Sequence, residues 1–330
     1  MKDAIIVFTS TQDRSVDDVI VNLEKRGEKI LRFDTDVFPE KNSVSVHLNG
    51  DKLEGLLIDE SGKTCKIEDI KSCWYRGVRS PLFSGINLHP GHLRFIEEET
   101  RCALWGLYTS VEAFWMNPPI LGSRLIGNNK LYQMKIAHKL GFRIPDSMIS
   151  NSPEELAEFA NSHGGVAAVK MMSGHVFVLE NTKDMWGIYT QMVEAKSFTT
   201  NAKNIKLSPI LAQEYIAKKI ELRVTIVGDS IFACAIHSQD SERTKHDWRR
   251  YDFSNVKHEV FNMPKEVESK LLTLMKEFGL SFGAVDMILT PENDFVFLEV
   301  NPQGQWGWIE ELTGMPISNA IAENLAGTVR

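Results

Sequence analysis

Two acids and an amide are spaced so that they could hold a metal ion. Asp286 interrupts an apolar run at residues 283–289, Glu299 interrupts a second at 295–300, and Asn301 follows Glu299 by two. Side chains two apart share a face of a strand. The segment between the runs, Thr290-Pro291-Glu292-Asn293-Asp294, is turn-forming, so the pair reads as an antiparallel hairpin. Two carboxylates and an amide oxygen buried together need a cation, because like charges in low dielectric raise each other's pKa. Mg²⁺ suits such a set, taking few oxygens from protein and the rest from water and nucleotide phosphates. The plainer alternative is a hairpin with acids on its solvated edge, but the acids stand among Val, Phe and Leu.

Other residues could serve a phosphate. Lys170 is the one charge in the apolar stretch 167–172, and a lysine buried without a partner costs several kcal/mol, so it must be paired or meet an anion. Ser173-Gly174-His175 then turns the chain, and a glycine there lets backbone N–H groups approach phosphates. Glu214, Glu221 and Arg223 are polar residues in apolar stretches at 210–216 and 221–227; they form either the outer face of alternating strands or part of a site. The charged segment 239–251, with Arg249 and Arg250, is long enough to face a substrate. Arg76, after Trp74 and Tyr75, either binds an anion or packs on a ring at the surface. His89 and His92 read as a loop, and Gly62-Lys63-Thr64 as a turn, because Leu57 stands where a phosphate loop needs its first glycine.

The elements that must position these residues follow from periodicity. Residues 4–8 and 29–33 read as buried strands around a helix opened by Ser15, Asp17 and Asp18, which gives a small parallel sheet. Residues 44–48 and 53–59 form a hairpin about Asn49-Gly50-Asp51. Residues 72–75 read as a strand and 93–116 as a helix ending at Asn117-Pro118-Pro119, a domain boundary. Lys130 opens a helix to Leu140, Pro153 another to Gly164-Gly165, and strands follow at 167–172, 176–179, 210–216, 221–227 and 230–237. A helix at 264–278 returns to the hairpin, and a last one begins near Ser318. The fold class is α/β with α+β parts, divided at 1–118, 119–208 and 209–330.

Composition narrows the partners. Lys+Arg 37 against Asp+Glu 44 leaves −7, which speaks against nucleic acid and anionic membrane surfaces. No apolar run approaches the ~20 residues of a membrane span, and the first run is too short for a signal segment, so a cytoplasmic protein is expected. The four cysteines lack C-x-x-C spacing and read as reduced and structural.

Taken in order, Lys130, Lys170, Gln213-Glu214-Tyr215-Ile216, Glu221, Asp286, Glu299 and Asn301 resemble the ATP-grasp superfamily over residues 120–330. The resemblance implies that Lys130 and Lys170 hold nucleotide phosphates, that 213–216 meets adenine, that Glu221 binds ribose, and that Asp286, Glu299 and Asn301 hold magnesium. WYRG at 74–77, WMNPP at 115–119, HSQD at 237–240, DWR at 247–249 and FLEVNPQGQWGWIE at 297–310 are similar to the graspetide maturases, the microviridin-type (MvdD-like) macrocyclases, and extend the likeness to the whole chain. Gly77 departs from that pattern, where a second arginine is usual, and the long glycine-rich phosphate loop is replaced by Ser173-Gly174-His175. The resemblance implies an N-terminal pre-ATP-grasp domain, ATP and Mg²⁺ as cofactors, a leader-plus-core precursor peptide as partner, and a homodimer. The reaction implied is acyl-phosphate activation of Asp or Glu side chains followed by ring closure with Thr, Ser or Lys. Arg223 would neutralise the transferring phosphoryl group; Arg249 would grip the acid, with Asp247 orienting it, unless the two are only a surface salt bridge. Rival readings are an ATP-grasp ligase adding glutamate to a protein terminus, and a peptide-binding protein without turnover.

Overall fold

The computed structural model describes residues 1–83, 87–172, 176–178, 185–187 and 189–327, with backbone alone at 123–124, 176–178 and 185–187. The turn at 173–175 expected to approach phosphates lies outside the described residues.

The chain begins with β1 (Ala4–Thr9), α1 (Ser15–Lys25) and β2 (Lys29–Asp34); β1 is wholly buried, as its unbroken apolar sequence requires. β3 (Ser43–Asn49), β4 (Lys52–Ile58) and β5 (Thr64–Lys66) make a separate antiparallel sheet, closed at Gly50 with φ 64°. β6 (Ile70–Tyr75), α2 (Pro90–Ser110) and β7 (Phe114–Met116) complete a parallel sheet in the order β2-β1-β6-β7. Three expectations are corrected here. The helix read at 93–116 ends at Ser110, and Phe114–Met116 pairs with β6, because an aromatic run beside an open sheet edge gains more as a strand. His89 is no loop residue but the cap of α2, its Nδ1 accepting from the Gly91 N–H at 3.1 Å. Ser15 does not cap α1; Arg14 occupies that position without a side-chain bond, and Asp13 accepts from the Ser15 N–H at 3.1 Å.

The middle of the chain holds α3 (Lys130–Lys139), β8 (Ser147–Ser150), α4 (Pro153–Ser162), β9 (Val166–Lys170), the hairpin β10 (Val176–Val178) and β11 (Met185–Gly187), β12 (Gln191–Glu194), α5 (Ala195–Thr200), α6 (Ala202–Ile205) and β13 (Ile210–Gln213). A four-stranded sheet runs β12-β9-β13-β8. The strand expected at 210–216 stops at Gln213: the Glu214 N–H bonds Asp146 O at 2.9 Å, and the next residues cross to the following sheet, out of reach of either ladder.

That sheet is built from β14 (Ile220–Val227), β15 (Ser230–Ile236), β16 (His258–Val260), β17 (Phe282–Leu289) and β18 (Phe295–Asn301), in the order β16-β15-β14-β17-β18, with α7 (Lys265–Glu277), α8 (Gly307–Thr313) and α9 (Ile317–Ala326). Leu222, Val224, Val285 and Met287 pack one face against α7 and α3. The other face is divided. Val227, Phe282 and Trp306 join α1 and α9 in one core at one end, while Glu221, Arg223, Asp286 and Glu299 occupy the other. Among the described residues no helix is long and apolar enough to cross a membrane.

The seam with the first sheet is polar and buried. Arg76, expected to be a ligand or surface residue, is 2% exposed: its Nε lies 3.3 Å from Asp13 Oδ2, its Nη1 donates to Gln303 O and Gly304 O, and its guanidinium sits 4.7 Å over Trp306. Gly77 beside it has φ 61°, and a Cβ would stand 2.2 Å from Asp13 Oδ2, so this chain has no room for an arginine there. Asn117 accepts from Ser281 N (3.1 Å) and Phe282 N (3.0 Å) and donates to Phe282 O (2.7 Å) and Pro302 O (3.0 Å). Its φ of 55° also suits Asn better than alanine. Asn117→Ala should therefore lose about 2–4 kcal/mol in urea unfolding, and Asn117→Gly, which relieves only the backbone, should recover less than half of that loss. A loss under about 0.5 kcal/mol in both variants would show that the seam does not depend on this side chain.

Candidate active site

Register brings the hairpin acids together. Asp286 is the cross-strand partner of Glu299 on one side and of Arg223 on the other. Arg223 Nη1 donates to both Asp286 oxygens, at 2.9 and 3.1 Å, and Lys130 Nζ contacts Glu299 Oε2. Lys130 reaches Glu299 because α3 is fixed one turn further along: Gln133, 1% exposed, donates to Val300 O (3.0 Å) and accepts from Val300 N (2.8 Å). Asn129 caps that helix, accepting from Tyr132 N at 3.2 Å. Asn301 Oδ1 accepts from Gln303 N at 2.9 Å. A Cβ on Gly304 would lie 2.3 Å from Ala284 Cβ and 2.7 Å from Arg223 Nη2, so the 301–305 loop can close on β17 only with glycine there. These contacts modify the electrostatic expectation. Arg223 and Lys130 already supply counter-charge, so the paired acids do not by themselves require a divalent ion. Among the described residues no cluster of three or more His, Cys, Asp or Glu converges.

Above the hairpin lies a cleft of about 630 Å³ between the two sheets. Ala168, Met192, Ile216, Ile288 and Leu298 give it an apolar slot. Gln213, Glu214 and Tyr215 edge the slot: Gln213 donates to Ser147 Oγ at 2.9 Å, and Glu214 accepts from Asp146 N at 3.1 Å. Glu221 and Lys218, both buried, pair at 2.9 Å, and Lys218 also donates to His246 O at 3.0 Å. Among the described residues Glu221 Oε2 is buried without a close hydrogen-bond partner, and burial pushes this carboxyl upward against the pull of Lys218 and the nearby Ser238 hydroxyl. Lys170 lines the same cleft. No ion pair holds it among the described residues, and burial, aided by Lys130, Lys218 and Arg249, pushes it down to about 7. Burial and Arg249 likewise push Lys130 down to about 8, while Asp286 pulls the other way.

Asp247 is buried and Arg249, paired with it, is partly exposed. Arg249 Nε and Nη2 donate to Asp247 at 2.8 and 2.6 Å, and Asp247 also accepts from Arg249 N (3.0 Å) and Thr190 N (2.8 Å). Burial opposes ionisation of Asp247, but the Arg249 guanidinium outweighs it and holds the carboxyl well below the usual range. Trp248 between them lines the cleft, with Arg223 5.6 Å over its ring.

Of the residues singled out from sequence, Lys170, Gln213, Glu214, Tyr215, Ile216, Glu221, Asp247, Arg249, Asp286 and Glu299 line the cleft. Lys130 and Arg223 touch its acids from behind, and Asn301 ends β18, its Oδ1 accepting from the Gln303 N–H. Sequence reasoning missed Lys218, which carries no signal beyond a Lys-Lys doublet, and Trp248, whose neighbours alone drew notice.

Residues 4–120 match the family model of the MvdD pre-ATP grasp domain, and residues 127–325 that of the RimK-like ATP-grasp domain. The structure is similar to that of macrocyclase MdnC bound with precursor peptide MdnA from Microcystis aeruginosa MRC, at 32% identity and TM-score 0.85, covering 98% of this chain and 99% of that one. It is also similar to a Chryseobacterium gregarium RiPP-associated ATP-grasp ligase in complex with ADP and a leader and core peptide, at 31% identity and TM-score 0.89, covering 99% and 98%. The alpha-aminoadipate–LysW ligase LysX of Sulfurisphaera tokodaii is 23% identical over 175 residues, 52% of this chain; the match spans 58% of that ligase's length.

Lys170 has a cost that the unliganded protein should reveal. The unfolded chain keeps this proton to about 10.5, whereas the native site gives it up near 7, so native stability rises with pH between those values. Without nucleotide, Lys170→Met should melt higher than the parent at pH 6, and the difference should shrink as pH rises from 7 towards 10. Equal melting temperatures across that range would mean that the lysine is not desolvated.

Proposed function

The chain belongs to the ATP-grasp ligases, as an MvdD-type pre-ATP-grasp domain joined to a RimK-like ATP-grasp domain, and from that membership we propose that it is a peptide macrocyclase. Its substrate would be a ribosomal precursor peptide with leader and core, and its product a core closed by ester bonds from Thr or Ser or amide bonds from Lys. The observation that carries this reading is the cleft: an apolar slot flanked by a lysine without an ion pair and a carboxylate oxygen without a hydrogen bond among the described residues, directly above Asp286 and Glu299.

The residues present fit a nucleotide. The slot suits adenine, Glu221 Oε2 offers an acceptor for a ribose hydroxyl, and Lys170 offers charge for phosphate. Asp286, Glu299 and Asn301 would hold magnesium, which when bound neutralises charge on the phosphates. This asks Lys130 to exchange Glu299 for a phosphate oxygen and Arg223 to share Asp286.

The chemistry then follows from a carboxylate's inertness toward alcohols and amines in neutral water. A core Asp or Glu oxygen attacks the γ-phosphorus of ATP, ADP leaves, and an acyl phosphate remains. A hydroxyl or amine of the same peptide attacks its carbonyl carbon, and phosphate departs with the original carboxyl oxygen. Lys130, Lys170 and Arg223 stabilise charge on the transferring phosphoryl group, and Arg249, held in orientation by Asp247, grips the acid. Tethering both reactants on one chain supplies an entropic advantage of up to roughly 7–11 kcal/mol. The supply of ATP favours the cytoplasm as the location, and a homodimer is the assembly the family resemblance favours.

The test is mass spectrometry on the product of the neighbouring small reading frame, incubated with this protein, ATP and Mg²⁺. Each ring should remove one water. Asp286→Asn and Glu299→Gln should lower kcat by about 10²-fold or more, and chelation of Mg²⁺ should abolish turnover. A mass gain would point instead to an ATP-grasp ligase that adds glutamate to a protein terminus, and ATP-independent water loss would refute the ligase reading.

A further inference from the structure

The cleft wall does not end at Trp248. Its ring lies 5.1 Å from Trp308 and 5.7 Å from Tyr251, centroid to centroid; Tyr251 stacks on Phe253 at 5.2 Å, and Phe253 stands 6.3 Å from Trp308. These rings form one face, and its outer half is open: Tyr251 is 41% and Phe253 50% exposed. Tyr251 has φ 41°, a backbone conformation bulky residues rarely adopt. Trp308 Nε1 is buried with no hydrogen-bond partner among the described residues.

Continuity says what covers this face. Tyr251 follows Arg249 and Arg250 in sequence, and Arg250 lies 5.5 Å over the Tyr189 ring, beside the Thr190 N–H that Asp247 holds. Burial raises the Tyr251 hydroxyl's pKa, while Arg223 and Arg249 are close enough to oppose it. An acid gripped by Arg249 is part of a chain that advances at most about 3.5 Å per residue, so the residues beside it must cross the adjoining wall. That wall is the ring face.

We propose that the Tyr251–Phe253–Trp308 face is a subsite for an apolar side chain, aromatic or branched aliphatic, lying within about two residues of the core acid being activated. The inference rests on the peptide-macrocyclase reading and deepens it: the enzyme selects its acid by what flanks it as well as by its charge. An unfilled ring surface beside a charged pocket gives such a peptide a place to bury area that a serine-flanked acid cannot use.

The probe is the precursor peptide encoded beside this gene, used as it is and with the apolar residues flanking its core acids replaced by serine. Two readouts are taken, ring closure by mass and binding by quenching of tryptophan fluorescence. The parent should bind and cyclise the native peptide with a KM about tenfold lower than the serine peptide. Phe253→Ser should remove most of that difference while leaving the KM for ATP within about twofold. Leu207→Ser, at a side chain 85% exposed and away from this wall, should leave the difference intact. Equal KM values for the two peptides in the parent, or an unchanged preference in Phe253→Ser, would overturn the subsite while leaving the macrocyclase reading standing. A fluorescence preference without any ring closure would do the reverse. If Phe253→Ser instead converts a dimer to a monomer in sedimentation, the face is a subunit contact and the subsite is refuted.

Discussion

Charge cannot be buried unopposed, and the cleft is built on that constraint. Five acids line it, and four are matched with a cation: Asp286 with Arg223, Glu299 with Lys130, Glu221 with Lys218, and Asp247 with Arg249, while Glu214 at the edge accepts from the Asp146 backbone N–H. Lys170 is left over, with no acid of its own among the described residues. The surplus positive charge in the cleft therefore sits at Lys170, while the other four cations are held in position by their acids. Such pairs contribute little net stability, since desolvation offsets most of the attraction, but losing one partner would leave the other stranded in low dielectric. The arrangement specifies geometry rather than adding stability.

The seam between the first sheet and the hairpin follows the same constraint with backbone carbonyls as acceptors. Arg76 reaches Gln303 O and Gly304 O on the loop that ends the hairpin, and Asn117 fixes the start of β17 to that same loop through Phe282 and Pro302. At Gly77 and Gly304 in this seam the segments approach too closely for a side chain. Asn301, just upstream, is thus positioned by residues more than a hundred places away in sequence. The first domain supports the placement of a candidate metal ligand.

What could be read from sequence was local. The hairpin of β17 and β18, the βαβ opening and the capped start of α3 were legible because turn residues, periodicity and an Asn cap act within a few residues of one another. Elements overran where apolar sequence continued past the point at which tertiary structure stopped it. The stretch at 210–216 stays apolar although its backbone leaves the ladder at Gln213, and 93–116 keeps a helical period into what becomes a strand. Arg76 could not be placed, because nothing near it signals that carbonyls from residues 303 and 304 would close over it. The hairpin acids were picked out as neighbours that need a cation, but sequence could not show that Arg223 and Lys130, one from an adjacent strand and one from a helix, already supply positive charge beside them.

The double use of Asp247 has a further consequence. One carboxylate holds Arg249 by its side chain and the 189–190 segment by a backbone N–H, and these belong to opposite walls of the cleft. Neither can move far without the other losing its bond. The 189–190 segment and the guanidinium are thus restrained by one carboxylate, and displacing either would loosen the hold on the other.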